Sequence, residues 1–294
     1  VSADLGIRLA SDGARLVAEI TPPDPLPLAQ LLIGRPVEEA AELLPRLFNL
    51  CGAAQGHAAR LALGLHGTAE LAQREILRDH LAKICLIWPR LLDLPPRPLP
   101  ENWGEGGAVL QDWIWGGPKP ERLAAFLVSG KGVAPLLAEV AHRFSPGDAV
   151  ADLPPLTNPM TLIPQENSPA GRVADAPLMH QAETLWGRGP LWRVLGRIID
   201  LHRLAEAPLP SELRPDGTAV VAAARGAYAL AADAEEGRLA RLARVTPTDH
   251  LLVEGGALDQ SLAALPPNKA ELAALVVDIL DPCFPVHLEM AANA

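Results

Sequence analysis

The sequence predicts a mainly helical α+β protein with small peripheral sheets, and three observations lead there. Hydrophobic residues make up 49% of the chain but aromatic residues only 4%, so leucine, alanine and valine must fill the core, a composition that favours helices. Several stretches carry an apolar stripe at helical spacing, the clearest being Leu77, Leu81, Ile84 and Trp88 within Ala69–Trp88. Strand and turn signals are confined to two tracts, one near the start and one around residues 218–247.

Taken in order, residues 1–30 read as a strand or hairpin turning at Ser11-Asp12-Gly13 and broken at Pro22-Pro23. Glu38–Leu50 reads as helix, with Glu38 and Glu39 complementing the exposed amides of its first turn and Pro45 marking a kink or a split into two short helices. Helical pattern resumes at His57–Leu65 and again at Ala69–Trp88, where Cys85 reads as a core filler. Residues 91–120 are expected to be mostly loop, packed down by Trp103, Trp113 and Trp115. Short helices flank Gly130 and Gly132, and 145–176 is a second irregular tract rich in proline. Leu191–Leu204 reads as an amphipathic helix. Val220-Val221, Arg225-Gly226 and the polar turn Asp233–Gly237 favour a strand hairpin. A last helix is expected to start at an Asn268 cap, with Glu271 completing a capping box, and to stop at Asp281-Pro282. With 294 residues the chain reads as a single domain, 1–294, with irregular tracts near 91–120 and 145–176.

Charge and cysteine use narrow the function. The formal charge is −10, no basic block or aromatic platform stands out, and nucleic-acid binding is not expected. Three cysteines make no secreted disulfide framework, the first twenty residues lack signal-peptide character, and apolar runs fall far short of a membrane span. A cytoplasmic protein with no membrane partner is the expectation. No Gly-rich phosphate loop, Gly-x-Ser-x-Gly elbow or His-Glu-x-x-His pair is present.

Two cysteine motifs remain, NLCGAAQGH at Asn49–His57 and DPCFPVH at Asp281–His287. Each sulfur sits where a regular element yields to a Gly- or Pro-marked turn, and a helix starting after Cys51 would favour its thiolate. In order and placement these motifs resemble those of nickel-iron hydrogenase large subunits, and more closely their large-subunit-like accessory proteins of maturation. The family patterns are Arg-x-Cys-Gly-x-Cys-x-x-x-His and Asp-Pro-Cys-x-x-Cys-x-x-His. This chain keeps Cys51, Gly52, Asp281, Pro282 and Cys283. Ala54 and Val286 hold the second cysteine positions, Asn49 replaces the arginine, and His57 and His287 come one and two residues early. LIGRPVEEAAELLPRLFNLCG, REILRDHLAKICLIW, AAARGAYAL around Arg225-Gly226, and VTPTDH resemble further family stretches.

The resemblance implies a large-subunit-like helical core and a specific loss of chemistry. In the catalytic family four thiolates hold nickel, and two of them bridge to an iron carrying carbon monoxide and cyanide. Alanine and valine donate to no metal, so no nickel and no hydrogen turnover are expected. The implied role is a non-catalytic scaffold or relay that transiently holds an Fe(CN)2CO fragment between Cys51 and Cys283. Arg225 would face the cyanide nitrogens, with His57 and His287 orienting or protonating a thiolate. The implied partners are hydrogenase maturation chaperones, iron-cofactor assembly proteins and the large-subunit precursor. Plainer readings stay open: the cysteines as buried structural thiols or in another redox role, Arg225 paired with a local carboxylate, each histidine structurally satisfied. The alternative function is a metal-free binding module that recognises the chaperones or the large subunit.

Overall fold

The helix Pro190–Glu206 sets the architecture: fifteen of its seventeen residues are buried, all but Arg203 and Glu206. A helix buried on nearly every side must lie inside a bundle. The helices Ala69–Ala82, Gly107–Trp115, Ala134–Arg143, Pro177–Trp186 and Ala273–Leu280 pack around it in this computed structural model, which describes residues 4–48 and 50–291. Leu195, Ile198 and Leu201 are fully buried, each contributing about 1.5–3 kcal/mol of transfer free energy. The expected amphipathic helix is therefore present, but its polar side meets protein instead of water. Arg193 pairs with Glu166 at 3.0 Å, Arg197 with Asp281 at 2.9 Å, and Asp200 with both Arg172 and His80. Buried charges require such partners.

Ala69–Ala82 continues through a π turn at Lys83–Ile87 into Trp88–Leu91, so the predicted helix is there with its four stripe residues buried. The wider turn places Lys83 against Asp278 and Asp281, both at 3.0 Å. The kink expected at Pro45 is also found: the helix Val37–Leu43 tightens into a 3-10 turn at Leu44–Leu47. Residues 91–120 are less irregular than expected, because Gly107–Trp115 is helical. Gly116, in a left-handed conformation, ends that helix, so this glycine punctuates an element instead of diluting one. Trp115 anchors the helix against Phe126, with ring centroids 5.3 Å apart, and Trp113 carries Arg97 on its face.

Two sheets form at the periphery. β1 (Leu5–Ser11) and β2 (Leu16–Thr21) make the predicted hairpin. β3 (Ser211–Leu213), β4 (Thr218–Ala223), β5 (Gly226–Glu235) and β6 (Arg238–Val245) form an antiparallel sheet in that order, with the helix Gly52–Ala62 lying on β4 and β5. β7 (Val286–Met290) has no counterpart in the sequence reading. It runs parallel to β1, with Leu5 opposite Val286 and Met290 opposite Leu9. This ladder ties the segment after Cys283 to the first strand.

The last helix begins differently from expectation. Pro267–Leu272 is a 3-10 turn with no side-chain cap, and the α-helix runs only over Ala273–Leu280. Lys269 departs from helical geometry, and its ammonium reaches Asp148 at 2.6 Å. A capping box does occur elsewhere, in VTPTDH. There the Thr246 side chain accepts from the Asp249 amide and the Asp249 carboxylate returns the bond, starting the helix Pro247–Leu252. Among the described residues no helix is long and apolar enough to cross a membrane.

Candidate functional site

Local packing aims the first cysteine. Cys51 adopts a left-handed backbone (φ 55°) immediately before the helix Gly52–Ala62. A Cβ on residue 52 would sit 2.7 Å from the Pro45 carbonyl oxygen, so only glycine fits after the cysteine. Glu75, from the neighbouring helix, accepts from the Ala53 and Ala54 amides at 2.9 and 3.2 Å, satisfying donors that a helix start leaves open. Burial pushes the Glu75 carboxyl up.

The second cysteine is placed by Asp281. This residue closes the helix Ala273–Leu280 in a left-handed conformation (φ 58°), one that aspartate tolerates, and Pro282 prevents continuation. The Asp281 carboxylate meets Lys83 at 3.0 Å, Arg197 at 2.9 Å and Arg225 at 3.2 Å. Burial opposes its ionisation, but the three cations prevail and hold it well below the usual carboxylate range. The Cys283 amide then donates to Thr248 Oγ1 at 3.1 Å.

The two cysteines converge at Arg225. Interaction with Cys283, together with burial, pushes the Cys51 thiol well above its ordinary value. The same interaction is the main influence drawing Cys283 down, against burial and with help from Arg225 and the Thr248 hydroxyl. The pair thus favours a proton on Cys51 and the anion on Cys283. Arg225 Nη1 donates to Cys51 Sγ at 3.3 Å and to Asp79 at 3.3 Å, while its Nε donates to the Asp281 carbonyl at 3.0 Å. Burial disfavours the guanidinium charge, but the surrounding carboxylates and sulfurs outweigh it and raise the pKa.

Arg225 is itself held in place. Gly226 follows it at φ 145°, and a Cβ there would lie 2.4 Å from Asn167 Oδ1. Asn167 grips both backbone polar groups of Ala227 and contacts His250 at 3.1 Å. Arg172 binds the Ala223 and Gly226 carbonyls on either side of the turn.

The structure therefore brings Cys51, Cys283 and Arg225 together, and it places the two histidines elsewhere. His57 is buried on the helix Gly52–Ala62, where Nδ1 accepts from the Thr68 amide at 3.0 Å, leaving Nε2 to donate to Ser211 Oγ at 3.1 Å. Both nitrogens are committed away from the sulfurs. His287 is exposed on β7 and paired with Glu289 at 2.8 Å. His57→Ala is expected to cost about 1–3 kcal/mol in urea unfolding, because the Thr68 amide loses its acceptor. Alkylation of the cysteines in the folded variant should be unchanged; a changed rate would restore His57 to the site.

Asp79, Glu75, Lys83, Thr248 and the full role of Asp281 escaped the sequence reading. Glu75 and Asp79 are four apart on one helix and so face one side, which was the available signal. Ala54 is fully buried and Val286 is partly exposed on β7, so neither second cysteine position contributes a donor. Among the described residues no cluster of three or more His, Cys, Asp or Glu is arranged to hold a metal ion. Asn49, at the arginine position of the motif, lies outside the described residues. Cys85 is fully buried, and burial raises its thiol to about 11.

Comparison with known proteins places this geometry in context. No family model matches the chain. It is 65% identical over 294 residues to the hydrogenase expression/formation protein HupK of Rhodobacter capsulatus, covering 100% of both chains. It is 25% identical to the hydrogenase expression/formation protein HupV of Azotobacter chroococcum, covering 90% of this chain and 91% of the relative. Its fold is similar to the nickel-iron-selenium hydrogenase of Desulfovibrio vulgaris Hildenborough, with a TM-score of 0.59, 11% identity, and coverage of 93% and 94% of the two chains. The corresponding enzyme of Desulfomicrobium baculatum gives a TM-score of 0.57 at 13% identity, covering 94% of this chain and 95% of that one. By its identity to HupK over the full sequence, the chain belongs to the hydrogenase expression/formation proteins, and its fold is similar to that of nickel-iron hydrogenases.

Proposed function

We propose that this chain is a non-catalytic scaffold in nickel-iron hydrogenase maturation, holding an Fe(CN)2CO fragment as cargo between Cys51 and Cys283. The single observation that carries this reading is the convergence of two cysteine turns from distant parts of the chain on one guanidinium, which donates to Cys51 Sγ and to the Asp281 carbonyl before Cys283. Soft thiolates suit iron that already carries strong diatomic ligands. Arg225 offers charge-assisted donors to cyanide nitrogen and offsets the anionic sulfurs. Two protein donors leave the iron open to exchange, which suits handover to maturation chaperones, iron-cofactor assembly proteins and the hydrogenase large-subunit precursor. Nickel would lose half of the family's thiolate ligands at Ala54 and Val286, so neither nickel binding nor hydrogen turnover belongs to this reading.

The test is infrared spectroscopy with metal analysis on protein purified anaerobically from a host competent in maturation. Carbon monoxide and cyanide bands with iron but no nickel are expected, and both Cys51→Ala and Cys283→Ala should lose the bands while keeping the circular dichroism of the parent. Bands that persist in both variants would remove the sulfurs from the cargo site. The likeness to large subunits over 93% of the chain supports one other reading, a metal-free module that imitates the large subunit towards its chaperones. That reading requires band-free protein that copurifies with its partner equally well as the double Cys→Ser variant.

A further inference from the structure

We propose that Cys51 and Cys283 form a reversible disulfide, a redox modification that withdraws both sulfur donors from cargo binding. The disulfide step stands on the geometry of the pair, while its consequence for cargo rests on the function proposed above. Three features of the fold carry it. Arg225 spans the pair, its Nη1 donating to Cys51 Sγ and its Nε to the Asp281 carbonyl two residues before Cys283, so closure to a bond of about 2.05 Å calls on movement of these two turns alone. Cys283 is the partly exposed member of the pair and Cys51 the buried one, which gives an entry point and a resolving thiol. Arg225 Nη1 stands 3.3 Å from Cys51 Sγ, a cation positioned to stabilise charge on that sulfur as it reacts. The third cysteine, Cys85, is sealed in the core and has no part in the exchange.

The oxidant is a low-molecular-weight disulfide of the glutathione class. Cys283 gives up its proton to solvent, and its sulfur attacks one sulfur of the oxidant, breaking that S–S bond and releasing one thiol after proton uptake. Cys51 then loses its proton and attacks the Cys283 sulfur, forming the internal disulfide and expelling the second thiol. Two protein thiols are oxidised by two electrons and one disulfide is reduced to two thiols. A disulfide sulfur carries no anionic charge to offer a metal, so cargo and disulfide exclude one another.

The full chain, metal-free and reduced, is equilibrated with glutathione and glutathione disulfide over a range of ratios, quenched in acid, and alkylated. Alkylatable thiols are expected to fall from the three of the sequence to one, with a single crosslinked peptide pair containing Cys51 and Cys283, and to return on reduction. In Cys51→Ser the reaction should stop as a glutathione adduct on Cys283. Three thiols that stay alkylatable at the most oxidising ratio, or a crosslink that includes Cys85, would overturn the proposal. Because this readout uses metal-free protein, it fails or succeeds independently of the infrared bands. In protein that carries the bands, the pair should resist the same treatment; a crosslink that forms while the bands persist would overturn the mutual exclusion.

Discussion

Asp281→Asn is expected to lower the stability of the protein by about 3–5 kcal/mol, the usual cost of leaving buried charge without its partner. One carboxylate neutralises parts of Lys83, Arg197 and Arg225, which arrive from three different segments, and it is itself only 5% exposed. Asparagine keeps the shape and some of the hydrogen bonding but none of the charge. Lys83 retains Asp278 and Arg225 retains Asp79, whereas Arg197 has no second carboxylate partner among the described residues. Urea unfolding followed by circular dichroism should show a lower midpoint at unchanged slope. A midpoint equal to that of the parent would show that the three cations need no common anion. The variant also speaks to function, since Cys283 lies two residues beyond the substitution and Arg225 loses its strongest attachment.

The second large effect is a loss of stability in mild acid, centred on His80 and Asp200. Both are fully buried, and His80 Nε2 lies 2.8 Å from Asp200. Burial is the main cause that lowers His80 to about 4, with Asp200 acting in the opposite sense. An unfolded histidine titrates near 6.5, so the unfolded chain binds this proton first as pH falls. Stability from His80 is therefore complete above about pH 6.5 and is lost progressively down to about pH 4, by about 2–3 kcal/mol. Asp200 acts lower. Burial raises it, but Arg172 and His80 outweigh burial and hold it below the ordinary carboxylate range. Its contribution is present above the unfolded value of about 4 and is lost as pH falls further. His80→Gln keeps a donor for Asp200 without a titrating group, and should flatten the upper part of this profile in urea midpoints taken between pH 7 and pH 4.5. An equally steep profile in the variant would assign the acid sensitivity to another group. The consequence reaches the site, because Arg172 joins Asp200 to the two carbonyls that flank Arg225.

What the sequence revealed and what it hid follow from the range of each interaction. The turn at Ser11-Asp12-Gly13 is local chemistry: Asp12 accepts from the Ala14 and Arg15 amides, and the hairpin follows. The stripe from Leu77 to Trp88 is likewise local, and so is the stop at Asp281-Pro282. Cys51, Cys283 and Arg225 were legible through motif resemblance, since each is bound to a backbone feature that leaves a residue signature. The Cys51-Gly52 step and the Arg225-Gly226 step each exclude a side chain by close backbone approach. The cluster around Asp281 had no such signature, because its cations are brought in by a π turn, a buried helix and a hairpin far apart in the chain. The polar side of Pro190–Glu206 was misread for the same reason: arginine at helical spacing looks solvent-facing until Glu166 and Asp281 are seen inside. His57 was taken from the histidine of the family motif that includes Cys51, whereas helical rotation turns it towards Thr68 and Ser211 instead.

The parallel ladder between β1 and β7 bears on when the protein becomes competent during its synthesis. Leu5 and Val286 are partners at almost the widest separation the chain allows, and contacts of that kind are among the slowest to form. A nascent polypeptide can complete the β1–β2 hairpin and most of the helical bundle while the ribosome is still translating. The strand that fixes the Cys283 segment beside β1 cannot dock until translation has passed Met290. Encounter between the two thiols therefore waits for that docking, and a chain halted before β7 cannot present the finished pair.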